Sequence, residues 1–238
     1  MSDKLYHECH DVISQGKAIL EDLQQWGFES IIPLPDEKTA SIAVHPQQDA
    51  VTSHNSGTLI ELEARLSGCS LCPLSDQRKN IVFGAGKPQA RLVLVGEAPG
   101  HEEDETGVPF VGEAGKLLEK ILIAMHLSRE EVYICNVIKC HPPGNRDPHP
   151  DEIAVCEQFL QQQLALIQPE LIITLGRFAT QTLLKTTEPI GKLRGQWFEY
   201  EGIPLMPTFH PAYLLRNPAG KKPVWHDMQQ VMQRLSQK

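Results

Sequence analysis

The chain has 238 residues, 41% of them apolar, 22% charged and 6% aromatic, which is enough apolar material for one large core or a core with an extension. No apolar run approaches the roughly 20 residues of a membrane helix, and the composition excludes collagen-like, coiled-coil and wholly disordered chains. The net charge of −8 is spread unevenly: residues 1–60 carry 3 basic and 9 acidic side chains, whereas residues 177–238 carry 9 basic and 4 acidic. Phosphate binding follows the local field rather than the total, so a nucleic-acid partner stays open, although an unevenly charged solvated surface accounts for the same numbers. The N-terminus MSDKLYHECHDV lacks a basic region followed by an apolar core, so the expected location is cytoplasmic. No internal repeat is present.

Residues 3–27 read as an amphipathic helix, with Leu5, Val12, Ile13, Leu20 and Leu23 at helical spacing. Residues 28–56, with Pro33, Pro35 and Pro46 and many small polar residues, read as a linker. The expected domains are thus residues 1–56, helix and linker, and residues 57–238, the functional unit. A short helix Leu59 to Leu66 leads into the segment SGCSLCPL. From residue 90 strands alternate with helices. RLVLVG (91–96) is a short apolar run suited to a strand buried on both faces. A helix is expected from Gly112 to His126, a strand over 131–139, a helix over 151–167, a strand over 170–176 with a helix after it, a hairpin over 196–208 and a closing helix over 225–235. Such alternation implies a parallel sheet covered on both faces, with the ligand site at the carboxyl ends of its strands. Those ends carry Glu97, Asn136, Arg177 and His210, so a carboxylate, a carboxamide and an imidazole should meet at one rim.

Six cysteines are too few to form a disulfide scaffold at this length. Cys69 and Cys72 form a C-x2-C knuckle, and Cys140 and Cys156 follow with 15 residues between them. Four thiolates suit a zinc ion or an iron–sulfur cluster. Short zinc modules usually pair two knuckles and only one is present, which favours a 4Fe-4S cluster; four buried cysteines without metal are the plain alternative. Cys135 alternates with apolar residues as a buried strand residue, and Cys9 is incidental. His210 opens HPAYLLRNP, where Tyr213, Leu214 and Leu215 precede Arg216. That composition suits a short loop whose apolar side chain enters a base stack while Arg216 holds a phosphate, or a helix start packed on the core.

Taken in order, GEAPG-x8-PFVG-x-AG-x-LL, NVIKCHPPGNRDP, Cys156, LGR and TFHPAYLLRNP resemble the family 4 uracil-DNA glycosylases, the iron–sulfur branch of that superfamily, over roughly residues 60–238. The resemblance implies a three-layer α/β/α sandwich around a four-stranded parallel sheet and a 4Fe-4S cluster on Cys69, Cys72, Cys140 and Cys156. It places the water-activating carboxylate on Glu97 and the last-motif histidine on His210. Substrate contacts fall on Ala98, on Phe110, which stacks on the flipped base, and on Asn136, which reads it. Glu103 would guard the C5 side, and Leu214 and Arg216 would contact DNA. The implied activity is hydrolysis of the N-glycosidic bond of uracil in DNA, initiating base excision repair. The expected partner is uracil-containing DNA, single- or double-stranded, with no membrane; the enzyme is expected to be a monomer, and residues 1–56 offer a place for a protein partner.

The residue types suit that chemistry, because a base must leave the stack before its bond to the sugar can be reached. Three rivals stand beside this reading. A relative that forms a covalent adduct carries an inserted basic loop after the third cysteine, and HPPGNRDPHPDEIAV is short here. A neighbouring broad-specificity family replaces the first-motif carboxylate with an apolar residue, against Glu97. The third is a non-catalytic DNA-binding or electron-transfer protein.

Overall fold

A computed structural model describes residues 57–237; the helix and linker expected over 1–56 lie outside the described residues. Two runs, LVLVG and LIITL, set the architecture. Each is buried along its whole length as β2 (Leu92–Gly96) and β4 (Leu171–Leu175), as only strands covered on both faces can be. They pair in parallel at the middle of a six-stranded sheet, whose order is β1 (Ala85–Gly86), β3 (Tyr133–Asn136), β2, β4, β6 (Ile203–Thr208), β5 (Phe198–Tyr200). β3 and β6 extend it in parallel, completing the four parallel strands expected. The edges are antiparallel: β1 on β3, and β5 on β6 as the expected hairpin.

Alternation along the strands divides two faces. Val93, Val95, Tyr133, Cys135, Ile172 and Leu205 share one core cluster with Leu160 and Leu164 of α4 (Pro150–Ile167) and Ala179 and Leu183 of α5 (Arg177–Leu184). Leu92, Leu94, Ile134, Ile173 and Met206 are as deeply buried on the other face, where α8 (Lys221–Ser236) packs on β6. The short helix α6 (Ile190–Leu193) also contacts β6. α1 (Leu59–Leu66) packs on α4 and starts at a capping box: Thr58 Oγ1 accepts from Glu61 N at 3.2 Å and Glu61 Oε2 from Thr58 N at 2.8 Å.

Two short helices lie between the expected elements, and for HPAYLLRNP this is the second of its two readings, a helix start packed on the core. HEEDET forms α2 (His101–Thr106), because Glu103 caps the Gly100 N–H, acidic side chains occupy its first turn, and Gly107 ends it at φ 73°. PAYLLR forms α7 (Pro211–Arg216), capped by His210 and packed against α3 (Glu113–Ala124).

Candidate active site

Four parallel strands deliver their carboxyl ends to one rim. Glu97 and Ala98 follow β2, Asn136 ends β3, and His210 stands two residues beyond β6. Gly176, just after β4, donates its N–H to Thr208 O at 2.9 Å. Its φ is 89°, and a β-carbon there would lie 2.9 Å from the His210 Cβ, so glycine is what allows β4 to pass beneath the imidazole. The rim borders a cavity of about 400 Å³ whose lining includes Glu97, Ala98, Glu103, Phe110, Asn136, His210 and Arg216, together with Asn145, Arg146, Asp147 and Tyr213.

Asn136 is 1% exposed, yet its Oδ1 has no hydrogen-bond partner. A buried acceptor left without a donor costs about 1–3 kcal/mol, and a donor on a ligand in the cavity recovers it. Gly96 sits opposite Asn136 in the parallel register. A β-carbon at Gly96 would lie 2.6 Å from Phe110 Cζ and closer still to Asn136 Oδ1, so only glycine lets carboxamide and ring approach together. Phe110 holds a left-handed φ of 55°, and its ring centroid is 5.6 Å from that of His210.

The His210 Nδ1 accepts from Ala212 N at 3.1 Å, as the cap of α7. Burial, with Arg216 adding to it, pushes the imidazole down to about 4. It is therefore neutral at ordinary pH, and with Nδ1 accepting, its one proton is assigned to Nε2. Glu97 shows the opposite displacement: burial, reinforced by Asp147 and opposed by Arg177, raises its carboxyl to about 7. Arg177 Nη2 in turn donates to Asp147 Oδ2 at 2.8 Å. Glu103 is committed to backbone, accepting from Gly100 N, Val111 N and Gly112 N at 3.0, 2.8 and 2.9 Å. It lines the cavity while holding two of its loops together.

One expected residue is displaced. Leu214 is wholly buried in α7, where a β-carbon at Gly220 would lie 2.9 Å from its Cδ2, so it packs in the core and is not presented at the surface as the expected wedge requires. Tyr213 and Leu215 are exposed instead, at 39% and 46%, beside Arg216. The reason is helical phase: once PAYLLR is a helix, adjacent residues no longer share a face. Sequence reasoning quoted the segment GNRDP, which starts four residues after Cys140, but gave Asn145, Arg146 and Asp147 no role. Arg146 is held by the nearly buried Glu152, through bonds of 2.9 and 2.6 Å.

The uracil DNA glycosylase superfamily model matches residues 83–229, more than half of the chain. A type-4 uracil-DNA glycosylase of Thermotoga maritima is 48% identical over 155 residues, 64% of this chain and 81% of the relative. Type-4 enzymes of Saccharolobus solfataricus and Archaeoglobus fulgidus are 45% and 38% identical, covering 71% and 73% of this chain and 83% and 92% of theirs. The chain belongs to the type-4 uracil-DNA glycosylases. Among its described residues no helix is long and apolar enough to cross a membrane.

The cysteine set of this type-4 glycosylase lies away from the cavity wall. Cys140 and Cys156 are buried, Cys69 and Cys72 half-buried, and Cys135 is a fully buried strand residue, as expected. Cys140 feels the charges of Cys69 and Cys72, and Cys156 those of Cys140 and Cys72, so the four thiols form one electrostatic neighbourhood. One guanidinium faces it. Arg78 Nη1 donates to Cys140 Sγ at 3.3 Å and its Nη2 to Cys69 O at 2.5 Å. The fully buried Lys139 donates from Nζ to Asn136 O at 2.7 Å and Gln163 Oε1 at 2.5 Å, and burial pushes its amine below the usual lysine range, opposed by Cys135 and Cys156. A guanidinium beside gathered thiols fits a group that leaves the site net negative, as a thiolate-held cluster does. Among the described residues no group of three or more His, Cys, Asp or Glu side chains is drawn together closely enough to hold a metal ion.

Proposed function

We propose that residues 57–238 excise uracil from DNA, turning the nucleotide out of the helix and hydrolysing its N-glycosidic bond as the first step of base excision repair. The observation that carries this reading is the partnerless Asn136 Oδ1, buried in the cavity it shares with Glu97, Phe110 and His210. Uracil presents N3–H as a donor and O4 as an acceptor, matching Oδ1 and Nδ2 of Asn136. Cytosine presents an acceptor at N3 and a donor at its amino group, and leaves Oδ1 facing a lone pair. Phe110 supplies the stacking face, worth about 1–3 kcal/mol.

As the C1′–N1 bond breaks, its electron pair stays on the base as an anion and the sugar takes up positive charge. His210 donates from Nε2 to uracil O2. A neutral imidazole suits that role because it gives a hydrogen bond to the developing anion without surrendering its proton. Ionised Glu97 stabilises the cation and orients a water, whose oxygen bonds to C1′ while its proton passes to the carboxylate. Ala98 borders the base, Glu103 braces the wall beside it, and Arg216 reaches a phosphate. The exposed Tyr213 and Leu215 supply the wedge into the stack.

Cys69, Cys72, Cys140 and Cys156 would hold a 4Fe-4S cluster. When bound, it serves as a structural tie between the knuckle and the Cys140–Cys156 segment, since the hydrolysis transfers no electrons. Iron and sulfide analysis of purified protein, with zinc as the competing result, tests the ligand assignment. Oligonucleotides carrying uracil opposite guanine, opposite adenine or in single strand test the reaction. Abasic product is expected from the wild type, and losses of orders of magnitude from Glu97→Gln and Asn136→Ala with the fold intact. Cluster-loaded protein that binds these strands without forming abasic sites is the outcome a non-catalytic DNA-binding or electron-transfer protein gives.

A further inference from the structure

Phe110 is held in a backbone conformation that a phenylalanine does not choose for itself. At φ 55° its Cβ crowds the backbone, and it lacks the short polar side chain that lets Asn or Asp bond locally there. Such residues persist where the surroundings over-determine them. Three contacts do so here. Glu103 Oε1 accepts the N–H groups of Val111 and Gly112, just after the ring. Gly115, in the first turn of α3, lies against the Phe110 peptide so closely that a β-carbon would collide with the Phe110 carbonyl. The third contact comes from outside the loop. Arg129 spreads its guanidinium across two consecutive carbonyls, Nη1 to Phe110 O at 2.8 Å and Nη2 to Pro109 O at 2.5 Å.

Arg129 is not part of the cavity wall. It stands on a turn closed by Ser128 and Glu131, whose Oε2 accepts from Ser128 N at 2.8 Å, and this turn leads into β3 and so to Asn136. We infer that Arg129 is a positioning residue: its two-pronged grip fixes the Phe110 ring as a base-stacking platform and references it to the strand that presents Asn136. The inference rests on the reading of Phe110 as that platform. A planar fork spans two carbonyls in a way that a lysine ammonium, one charged point on a flexible stem, does not. The arginine is therefore used here for geometry, not for attraction to DNA.

The test compares Arg129→Ala, Arg129→Lys, Phe110→Ala and the double variant Arg129→Ala/Phe110→Ala on uracil-containing single strand, with thermal melts to confirm folding. Arg129→Ala should lower kcat/KM roughly 10- to 100-fold, in proportion to lost stacking. The inhibition constant for free uracil should rise by a similar factor. Affinity for abasic-site DNA, which has no base to stack, should stay within about twofold, and its salt dependence should not change, since no phosphate contact is removed. Arg129→Lys should recover only part of the loss. In the Phe110→Ala background, removing Arg129 should add little, because the two act as one unit.

Equal weakening of uracil and abasic-site DNA, full rescue by lysine, or additive losses in the double variant each overturn the inference. If Arg129→Ala does not fold, the lysine variant and its combination with Phe110→Ala supply the same comparison. The underlying reading fails separately: Phe110→Ala that leaves free-uracil inhibition unchanged removes the platform itself, whereas a strong Phe110→Ala effect with a silent Arg129→Ala removes only the clamp.

Discussion

Gly96→Ala is the smallest change that should empty the pocket of function while leaving the fold. The added β-carbon would stand 2.6 and 2.7 Å from Phe110 Cζ and Cε2 and nearer still to Asn136 Oδ1, against 3.4–4 Å for ordinary contact, so ring and carboxamide must each retreat by about 1 Å. Displacing the ring forfeits stacking of about 1–3 kcal/mol, and misplacing the carboxamide strands a buried hydrogen bond worth about 1–3 kcal/mol. Together these are about 2–6 kcal/mol, or roughly 30-fold to 10⁴-fold in kcat/KM. Stability should respond far less. The Gly96 backbone is not left-handed, so alanine adopts it without strain, and both obstructing groups can swing into the cavity. Alanine also reduces the freedom of the unfolded chain by about 0.4–1 kcal/mol. Single-turnover excision on a uracil-containing single strand, paired with a thermal melt, separates the two effects. Gly191→Ala, where a β-carbon meets nothing within 4 Å, is the neutral control. A folded Gly96→Ala enzyme working within a few-fold of wild type would refute the shared-cavity geometry.

Four further outcomes follow from the structure. The Glu97 carboxyl, raised to about 7, should give an acid limb on which excision falls about tenfold per pH unit below that value, and the neutral His210 should contribute no limb above about 4. The same displacement has a stability consequence. The folded value lies above the unfolded 4.5, so the cost of ionising Glu97 is absent below about 4.5 and complete above about 7. Glu97→Gln should then raise the free energy of unfolding near pH 8, by at most about 3 kcal/mol, and not near pH 4, and a uniform shift of melts at both would contradict the burial argument. Leu214→Ala should cost about 2–5 kcal/mol of stability and impair single- and double-stranded substrates alike, whereas Leu215→Ala should spare stability and penalise the duplex; the reverse pattern in melts and excision assays would restore the wedge to Leu214. Asp227, fully buried, pairs with Arg194 and accepts from Thr208 Oγ1 at 2.6 Å near the end of β6, so Asp227→Ala should cost about 3–5 kcal/mol in denaturant melts, and a loss under 1 kcal/mol would show the pair to be dispensable.

What the sequence alone determined was local or strongly patterned. LVLVG and LIITL suit strands buried on both faces, the helices between them imply parallel pairing, and that pairing directs Glu97, Asn136 and His210 toward one rim. The cysteines at 69, 72, 140 and 156 were legible as a set for the same reason, since residue type and spacing are properties of the chain. Tertiary structure decided the rest. Whether HPAYLLRNP is a loop or a helix depends on α7 finding α3 to pack against, and that choice exchanged Leu214 for Tyr213 and Leu215 at the surface. The acidic run 101–106 became a helix once Glu103 could cap it and reach across to Val111 and Gly112. The charge states of Glu97 and His210, the bare acceptor of Asn136 and the hold of Arg129 on Phe110 all arise between residues far apart in the chain. Burial and electrostatic neighbourhood are set by distance in space, and a one-dimensional pattern carries that distance only within an element.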